Sequence, residues 1–166
     1  MFVIGDYVMH NGHGLCIILD QIHNDSLNND FYKLQTIHNK MSIMMPCDKA
    51  NSFLRPILTK QNLTKAISDS VVLSSEYMKD NKERKIKFQQ LITSNNITDT
   101  IQLLKMLYHL IEDKKLEKKT LGSFDTQFLQ QAEKKLFNET AIVLNMNLED
   151  AKNYIYERLK AQPVRS

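Results

Sequence analysis

The spacing of hydrophobic residues divides the chain into two parts with different periods. Up to about residue 46, short apolar or alternating runs are separated by turn-forming residues, a pattern typical of strands. After Arg55-Pro56, apolar residues recur every three or four positions, as they do on one face of a helix. We therefore predict an α+β protein with a small antiparallel β domain over residues 1–56 and an all-α helical bundle over residues 57–166.

Four strands are predicted in the first part. They cover residues 7–10, 15–19, 31–37 and 41–45. Asn11-Gly12 is a turn signal between the first two strands, because both residue types tolerate positive φ, and Pro46 stops the fourth strand. Short strands joined by tight turns favour a small antiparallel sheet or an SH3-like barrel.

Five helices are predicted in the second part, joined by short connections as in a helical bundle. Thr59 is a capping residue for a helix to about residue 73, and a second helix is expected over residues 75–93. A third runs through residues 97–111, a fourth follows a cap at Ser123, and a fifth follows a cap at Asn147.

Charge is distributed unevenly along the chain. The sequence has 22 Lys and Arg against 19 Asp and Glu, and residues 76–166 hold the entire excess of +3. Residues 79–87 contain five basic residues, of which Lys82 and Lys85, and likewise Arg84 and Lys87, are three positions apart. Such pairs share a helix face that could follow the phosphates of a nucleic acid, and an ordinary solvated face is the alternative interpretation.

No motif points to a reaction. His10, His13 and Cys16 have a spacing used by zinc ligands, but no second pair completes a tetrahedral site. Cys16 lies in an apolar strand, where burial makes a thiol unreactive, and no Gly-x-Ser-x-Gly elbow occurs. We predict a non-enzymatic protein with no metal and no cofactor.

Two further features bear on location. No apolar run approaches the roughly 18 residues that a membrane span requires. The first residues lack the basic start of a signal peptide, and the two cysteines cannot form a dense disulfide framework. We expect a cytoplasmic protein with no membrane partner.

A collinear series of short motifs resembles the CarD/CdnL family of bacterial RNA polymerase-binding transcription regulators over about residues 2–160. The N-terminal motifs are Phe2-x-x-Gly5-Asp6-x-Val8, His13-Gly14, Pro46-x-Asp48-Lys49-Ala50 and Leu54-Arg55-Pro56. The C-terminal motifs are Ser94-Asn95-Asn96-Ile97, Leu107-Tyr108 and Leu136-Phe137-Asn138-Glu139-Thr140-Ala141.

The resemblance implies a Tudor-like N-terminal domain that binds the β subunit of RNA polymerase. It places that contact on the fourth predicted strand, whose residues are Met41, Ser42, Ile43, Met44 and Met45. It also implies that the helical domain contacts promoter DNA without sequence specificity and stabilises the open complex. We expect a monomer, with a domain-swapped dimer as the alternative.

The DNA contacts are assigned on two grounds. Lys82 and Lys85 match basic positions of the family's DNA-facing helix, whereas Arg84 and Lys87 are added on charge alone. The position at which many relatives carry a tryptophan wedge is Asp80 here, and the chain has no tryptophan.

Tyr77 and Met78 are the substitutes we consider for that wedge. Two other departures from the family pattern are Met44, at a position where some relatives have arginine, and a longer connection around residues 117–121. Two alternative functions stay open: a polymerase-binding adaptor that does not touch DNA, which Asp80 and the missing tryptophan favour, and a stand-alone nucleic-acid-binding module.

Overall fold

Five antiparallel strands form one sheet in the N-terminal unit, Met1–Ile57, of the computed structural model, which describes residues 1–160. The strand order is β4-β3-β2-β1-β5, so β4 and β5 lie at the two edges. The strands are β1 (Tyr7–His10), β2 (Gly14–Asn24), β3 (Asn29–Thr36), β4 (Ser42–Pro46) and β5 (Leu54–Pro56). The sequence predicted the first four strands and missed β5, which has only three residues and ends in proline.

The core of this unit lies on one face of the sheet. Alternate residues of the strands point to it, because successive side chains in a strand face opposite sides. The buried members are Val8, Cys16, Ile18, Tyr32, Leu34 and Met45, joined by Phe2, Ala50 and Leu54 from outside the long strands. The hydroxyl of Tyr32 donates to the carbonyl of Phe2 at 3.1 Å and ties the N-terminal segment to the sheet. Ala50 begins a single helical turn, α1 (Ala50–Phe53), that leads into β5.

His10 has a structural role in the turn between β1 and β2. Its Nδ1 accepts hydrogen bonds from the backbone N–H groups of Gly12 at 2.9 Å and His13 at 3.0 Å. One side of the imidazole is thereby occupied by the turn itself. Within the described residues, no group of three or more His, Cys, Asp or Glu side chains is placed to hold a metal ion.

The second unit begins at Leu58 and contains the long helices. These are α2 (Lys60–Asp69), α3 (Asn81–Thr93), α4 (Ile97–Leu116), α5 (Ser123–Val143) and α6 (Leu148–Lys160), with a 3₁₀ turn at Ser70–Val72. Their apolar faces meet in one core that includes Leu63, Phe88, Leu104, Leu136 and Ile155. The α+β class predicted from the sequence is therefore confirmed.

Hydrogen bonds at the helix starts explain most of the boundaries. The Thr59 side chain accepts from the N–H of Asn62 at 3.1 Å, and the Asn147 side chain accepts from the N–H of Asp150 at 2.7 Å, which confirms both predicted caps. Ser123 is instead the first residue of α5, with Gly122 at the cap position and no side-chain cap bond.

The second predicted helix begins later than expected. It was predicted from residue 75, but α3 begins at Asn81. The Asp80 side chain accepts from the N–H of Glu83 at 3.0 Å and so caps α3. The preceding residues, 73–80, run as an irregular connecting segment. Ile86, predicted on the apolar face, is 53% exposed.

In the part of the chain that the structure describes, no helix is both long enough and apolar enough to cross a bilayer.

Candidate functional site

Strand β4 is the first candidate site, because it lies at an edge of the sheet. Among the described residues it pairs only with β3. Met45 is buried in the core and Ile43 packs against it, so Ser42 and Met44 project from the opposite face. Met44 is 50% exposed, and Met41, just before the strand, is also exposed. Met44 and the adjoining Met41 therefore present apolar side chains to solvent.

The backbone of β4 also offers hydrogen-bonding groups at this edge. The N–H of Thr36 donates to the carbonyl of Met41 at 2.9 Å, which makes these two residues a hydrogen-bonded pair. Antiparallel ladders alternate such pairs with non-hydrogen-bonded ones, so Ile43 and Met45 direct their backbone groups toward β3. The N–H and C=O groups of Ser42 and Met44 then point away from the sheet.

The exposed lysines of α3 are the second candidate site. Lys82 and Lys85 are exposed near the start of the helix, three residues apart, and Lys87 is partly buried. Two acidic residues lie among them: Asp80, which is committed to the helix cap, and the exposed Glu83. The resulting surface is cationic but interrupted by carboxylates.

Arg84 does not belong to that surface. It is only 4% exposed, and its guanidinium forms a bidentate pair with the buried carboxylate of Asp125, at 3.0 Å from Nε and 2.8 Å from Nη2. Nη1 donates to the carbonyls of Met78 and Lys79, and Nη2 also donates to Asn81. A guanidinium has five N–H donors, and these contacts use all of them. This arrangement corrects the expectation, based on charge alone, that Arg84 faces phosphate.

Tyr77 and Met78 differ in how freely their side chains are presented. The Tyr77 hydroxyl donates to Asp113 Oδ2 at 2.6 Å, and its ring packs edge-on against His109 with centroids 5.3 Å apart. Burial, together with the hydrogen bond to Asp113, raises the pKa of Tyr77 to about 12. Met78, in contrast, is 44% exposed. Of the two proposed wedge residues, Met78 has the available side chain.

A shallow pocket of about 390 Å³ lies beside these residues. Tyr77, Lys79 and Arg84 line it from one side, and Asp113 and Lys114 line it from the end of α4. The basic stretch around α3 is therefore adjacent to the lysine-containing end of α4. The pocket combines cations with carboxylates and has no single sign of charge.

Two side chains that sequence reasoning missed hold the connecting segment in place. The Lys105 Nζ donates to the carbonyls of Ser70 at 2.5 Å and Leu73 at 2.8 Å, and burial lowers the pKa of Lys105. The Nδ1 of His109 lies 2.9 Å from the carbonyl of Ser75. Both side chains belong to α4 and are more than 30 residues away in sequence. No local pattern could have indicated these contacts.

A family comparison defines the class of the N-terminal unit. Residues 2–58 match the model of the CarD-like/TRCF RID domain, so the five-stranded sheet with its open β4 edge is an RNA polymerase-interacting domain. This match covers the N-terminal unit and supports, for that unit, the resemblance to the CarD-like family found in the sequence. A search of curated proteins returned no match to the chain.

Proposed function

We propose that the protein is a non-enzymatic transcription regulator that binds the RNA polymerase β subunit through β4 and stabilises the promoter open complex through α3. The observation that carries the proposal is the open edge of β4 in a domain of the polymerase-interacting family. An exposed edge of this kind is a template for pairing with a strand of another protein.

Both the backbone and the side chains of β4 suit this role. The outward N–H and C=O groups of Ser42 and Met44 can extend the ladder into a strand of the partner. Met41 and Met44 are exposed, and methionine side chains adapt to irregular apolar surfaces. Hydrophobic and backbone contacts thus replace the arginine contact of some relatives.

DNA contact is assigned to the exposed Lys82 and Lys85 and the partly buried Lys87 of α3, together with the exposed Met78 of the preceding segment. Each lysine that neutralises a phosphate releases counterions and gains affinity. Three lysines give weak binding on their own. Weak binding is sufficient when polymerase already holds the protein near DNA, because the second contact then forms at high effective concentration.

Substitutions at Met44 test the polymerase contact. Met44→Pro removes an outward N–H without removing a donor to β3, whereas Met44→Ala removes the side chain and keeps the N–H. We expect Met44→Pro to lose binding to purified β subunit and Met44→Ala to weaken it only partly. Binding is measured by biolayer interferometry, with far-UV circular dichroism to check folding. A folded Met44→Pro variant with wild-type affinity would contradict the β4 assignment.

A double charge reversal tests the DNA contact. Lys82→Glu with Lys85→Glu should shorten the lifetime of promoter open complexes while affinity for the β subunit is kept. The matched control is Lys60→Glu with Lys65→Glu, which makes the same charge change at exposed positions of α2. Equal lifetimes for the two double variants would favour the adaptor that does not touch DNA. Wild-type protein that binds DNA but no β subunit would favour the stand-alone nucleic-acid-binding module.

A further inference from the structure

Contacts from neighbouring helices fix the walls of the pocket beside the start of α3. Nη1 of Arg84 donates to the carbonyls of Met78 and Lys79, at 3.2 Å and 3.1 Å. The Tyr77 hydroxyl donates to Asp113 of α4. The pocket is therefore preformed, and its volume of about 390 Å³ lies within the range of roughly 300–1,000 Å³ that is usual for small-molecule sites.

Apolar residues form part of the lining. Leu110 and Leu116 belong to α4 and Tyr77 to the connecting segment, and all three line the pocket. Leu116 is 84% exposed, so most of its side chain is available for contact with a ligand. Leucine and tyrosine side chains suit the apolar or aromatic body of a small molecule.

The carboxylates of the lining already have partners within the helical unit. Oδ2 of Asp113 accepts from the Tyr77 hydroxyl at 2.6 Å and lies 3.4 Å from Nε2 of His109. Oε2 of Glu117 lies 3.5 Å from Nζ of Lys119. The last carbonyls of α4 accept from N–H groups of the turn that follows the helix. The negative groups on this wall are thus satisfied by donors of the protein itself.

Two lysines of the lining differ from these committed groups. Lys79 is exposed and Lys114 is partly buried, and among the described residues neither forms an ion pair with a carboxylate. The third cation, Arg84, is fully used by Asp125, Asn81 and two backbone carbonyls. Although the lining contains both signs of charge, the charge that remains available to a ligand is therefore positive.

We propose that this pocket binds a small organic anion. Its phosphate or carboxylate group contacts the ammonium groups of Lys79 and Lys114, which can donate charge-assisted hydrogen bonds. Its apolar or aromatic body packs against Tyr77, Leu110 and Leu116, and the area buried there favours an organic anion over an inorganic one. The inference does not rest on the proposed function, because it needs neither polymerase nor DNA.

A bound anion would also join two parts of the helical unit. Lys79 belongs to the connecting segment and Lys114 to α4, so one ligand that contacts both lysines links the segment to the helix. A ligand that binds the folded state alone stabilises it by mass action. Binding should therefore raise the midpoint of thermal unfolding.

The test is isothermal titration calorimetry of the 166-residue chain at low ionic strength. AMP is the phosphate-bearing probe and phenylacetate the carboxylate-bearing probe. Adenosine and phenylacetamide are their counterparts without the anionic group, and inorganic phosphate lacks the apolar body. We expect at least one of the two organic anions to bind about tenfold more tightly, or more, than its counterpart, because the charge-assisted contacts are made only by the anion.

Substitution of the two lysines locates the binding. Lys79→Gln with Lys114→Gln should weaken binding of the organic anion about tenfold or more. The matched control is Lys115→Gln with Lys118→Gln, which makes the same charge change at exposed positions near the same end of α4, outside the pocket lining. The control should bind like wild type. If the first double variant unfolds, the single variant Lys79→Gln replaces it, with the same expected direction.

The outcomes decide the proposal. Binding of AMP alone or of phenylacetate alone supports it and assigns the anionic group to one chemical class. No binding of either probe would overturn it, and a duplex DNA that then loses affinity in the Lys79→Gln, Lys114→Gln variant would assign these lysines to nucleic acid instead. Unchanged affinity for the organic anion in that folded variant would also overturn it. Inorganic phosphate that binds as tightly as AMP would do the same, because the apolar wall would then contribute nothing.

Discussion

Individual side chains in the basic stretch have different roles that their charges do not reveal. Lys82 and Lys85 are exposed, whereas Arg84, between them in sequence, is buried and paired with Asp125. Arginine is suited to such a buried bidentate pair, because its planar guanidinium matches a carboxylate and stays charged. Arg84 joins α3 to α5 and also holds the carbonyls of Met78 and Lys79. It supports the surface that the lysines present.

Arg84→Met tests this supporting role. The substitution leaves the Asp125 carboxylate buried without its partner, so we expect the free energy of unfolding of the helical unit to fall by about 3–5 kcal/mol. Guanidinium unfolding followed by far-UV circular dichroism measures the change. Lys85→Met, at an exposed neighbouring position, should stay within about 0.5 kcal/mol of wild type.

The double variant Arg84→Met, Asp125→Leu provides a second check on the pair. Removing both charges leaves no buried ion, so its cost should be smaller than that of Arg84→Met alone. A similar loss in the single and double variants would show that the backbone contacts of Arg84, rather than the ion pair, dominate its contribution.

Asp80 is also explained at the residue scale. On charge alone, Asp80 would be unfavourable next to DNA at the position where many CarD-like proteins have a tryptophan. Its carboxylate caps α3, where the helix dipole and the N–H of Glu83 stabilise it. The same residue therefore fixes where α3 begins and where the connecting segment ends.

At the scale of elements, the long helices have well-defined ends. At the end of α4, the N–H of Lys119 donates to the carbonyl of Lys114 at 2.7 Å, and that of Lys118 donates to Lys115 at 3.0 Å. This is a Schellman motif, in which the residue at the turn is usually glycine. Here it is Lys118, with φ of 60°. The left-handed conformation is costly for a residue with a Cβ.

Lys118→Gly should stabilise the helical unit by about 0.5–1 kcal/mol, because glycine adopts positive φ without the steric cost. Thermal unfolding monitored by circular dichroism measures the gain as a higher midpoint. Lys119→Gly is the control: it removes the same charge at the next position, which is not among the positive-φ residues, and should be neutral or slightly destabilising. Equal effects of the two variants would attribute the change to charge instead of backbone strain.

Local patterns predicted the elements well and their connections poorly. The first four strands were found because turn residues such as Asn11 separate them, and the caps at Thr59 and Asn147 were found because capping is local. The late start of α3 could not be predicted, since side chains of Lys105 and His109 from another helix satisfy the connecting segment's carbonyls. The burial of Arg84 depends on Asp125 of α5 in the same way.

The candidate site likewise has features that local sequence patterns predict and features that depend on contacts between distant residues. The exposure and edge position of β4 follow from the strand order, which the sequence analysis did not predict, and it also missed β5 at the other edge. The sequence could not show that the backbone groups of Ser42 and Met44 point outward, because this depends on which residue pairs of β3 and β4 are hydrogen-bonded. The hydrogen bond between Thr36 and Met41 identifies those pairs.

The whole molecule combines two units with different charge. Residues 1–57 contain four Lys or Arg and five Asp, whereas the rest of the chain holds 18 basic and 14 acidic residues. In the proposed function, the N-terminal unit offers backbone groups and apolar side chains to the polymerase, and the second unit offers lysines to DNA. Contacts of the first kind depend weakly on ionic strength, and contacts with phosphates depend on it strongly.

Salt should therefore separate the two proposed activities of the 166-residue chain. Between 50 and 200 mM salt, taken as roughly the range over which phosphate contacts weaken, we expect affinity for the β subunit to change little and the stabilisation of open complexes to fall steeply. The salt dependence is read as the slope of a plot of log lifetime of the open complex against log salt concentration. Lys82→Ala with Lys85→Ala should reduce the size of this slope by about two, one for each lost phosphate contact. The measurement is the lifetime of promoter complexes at several salt concentrations with protein at saturation. An unchanged slope in the double variant would show that these lysines do not contact phosphate, even if the protein remains bound to polymerase.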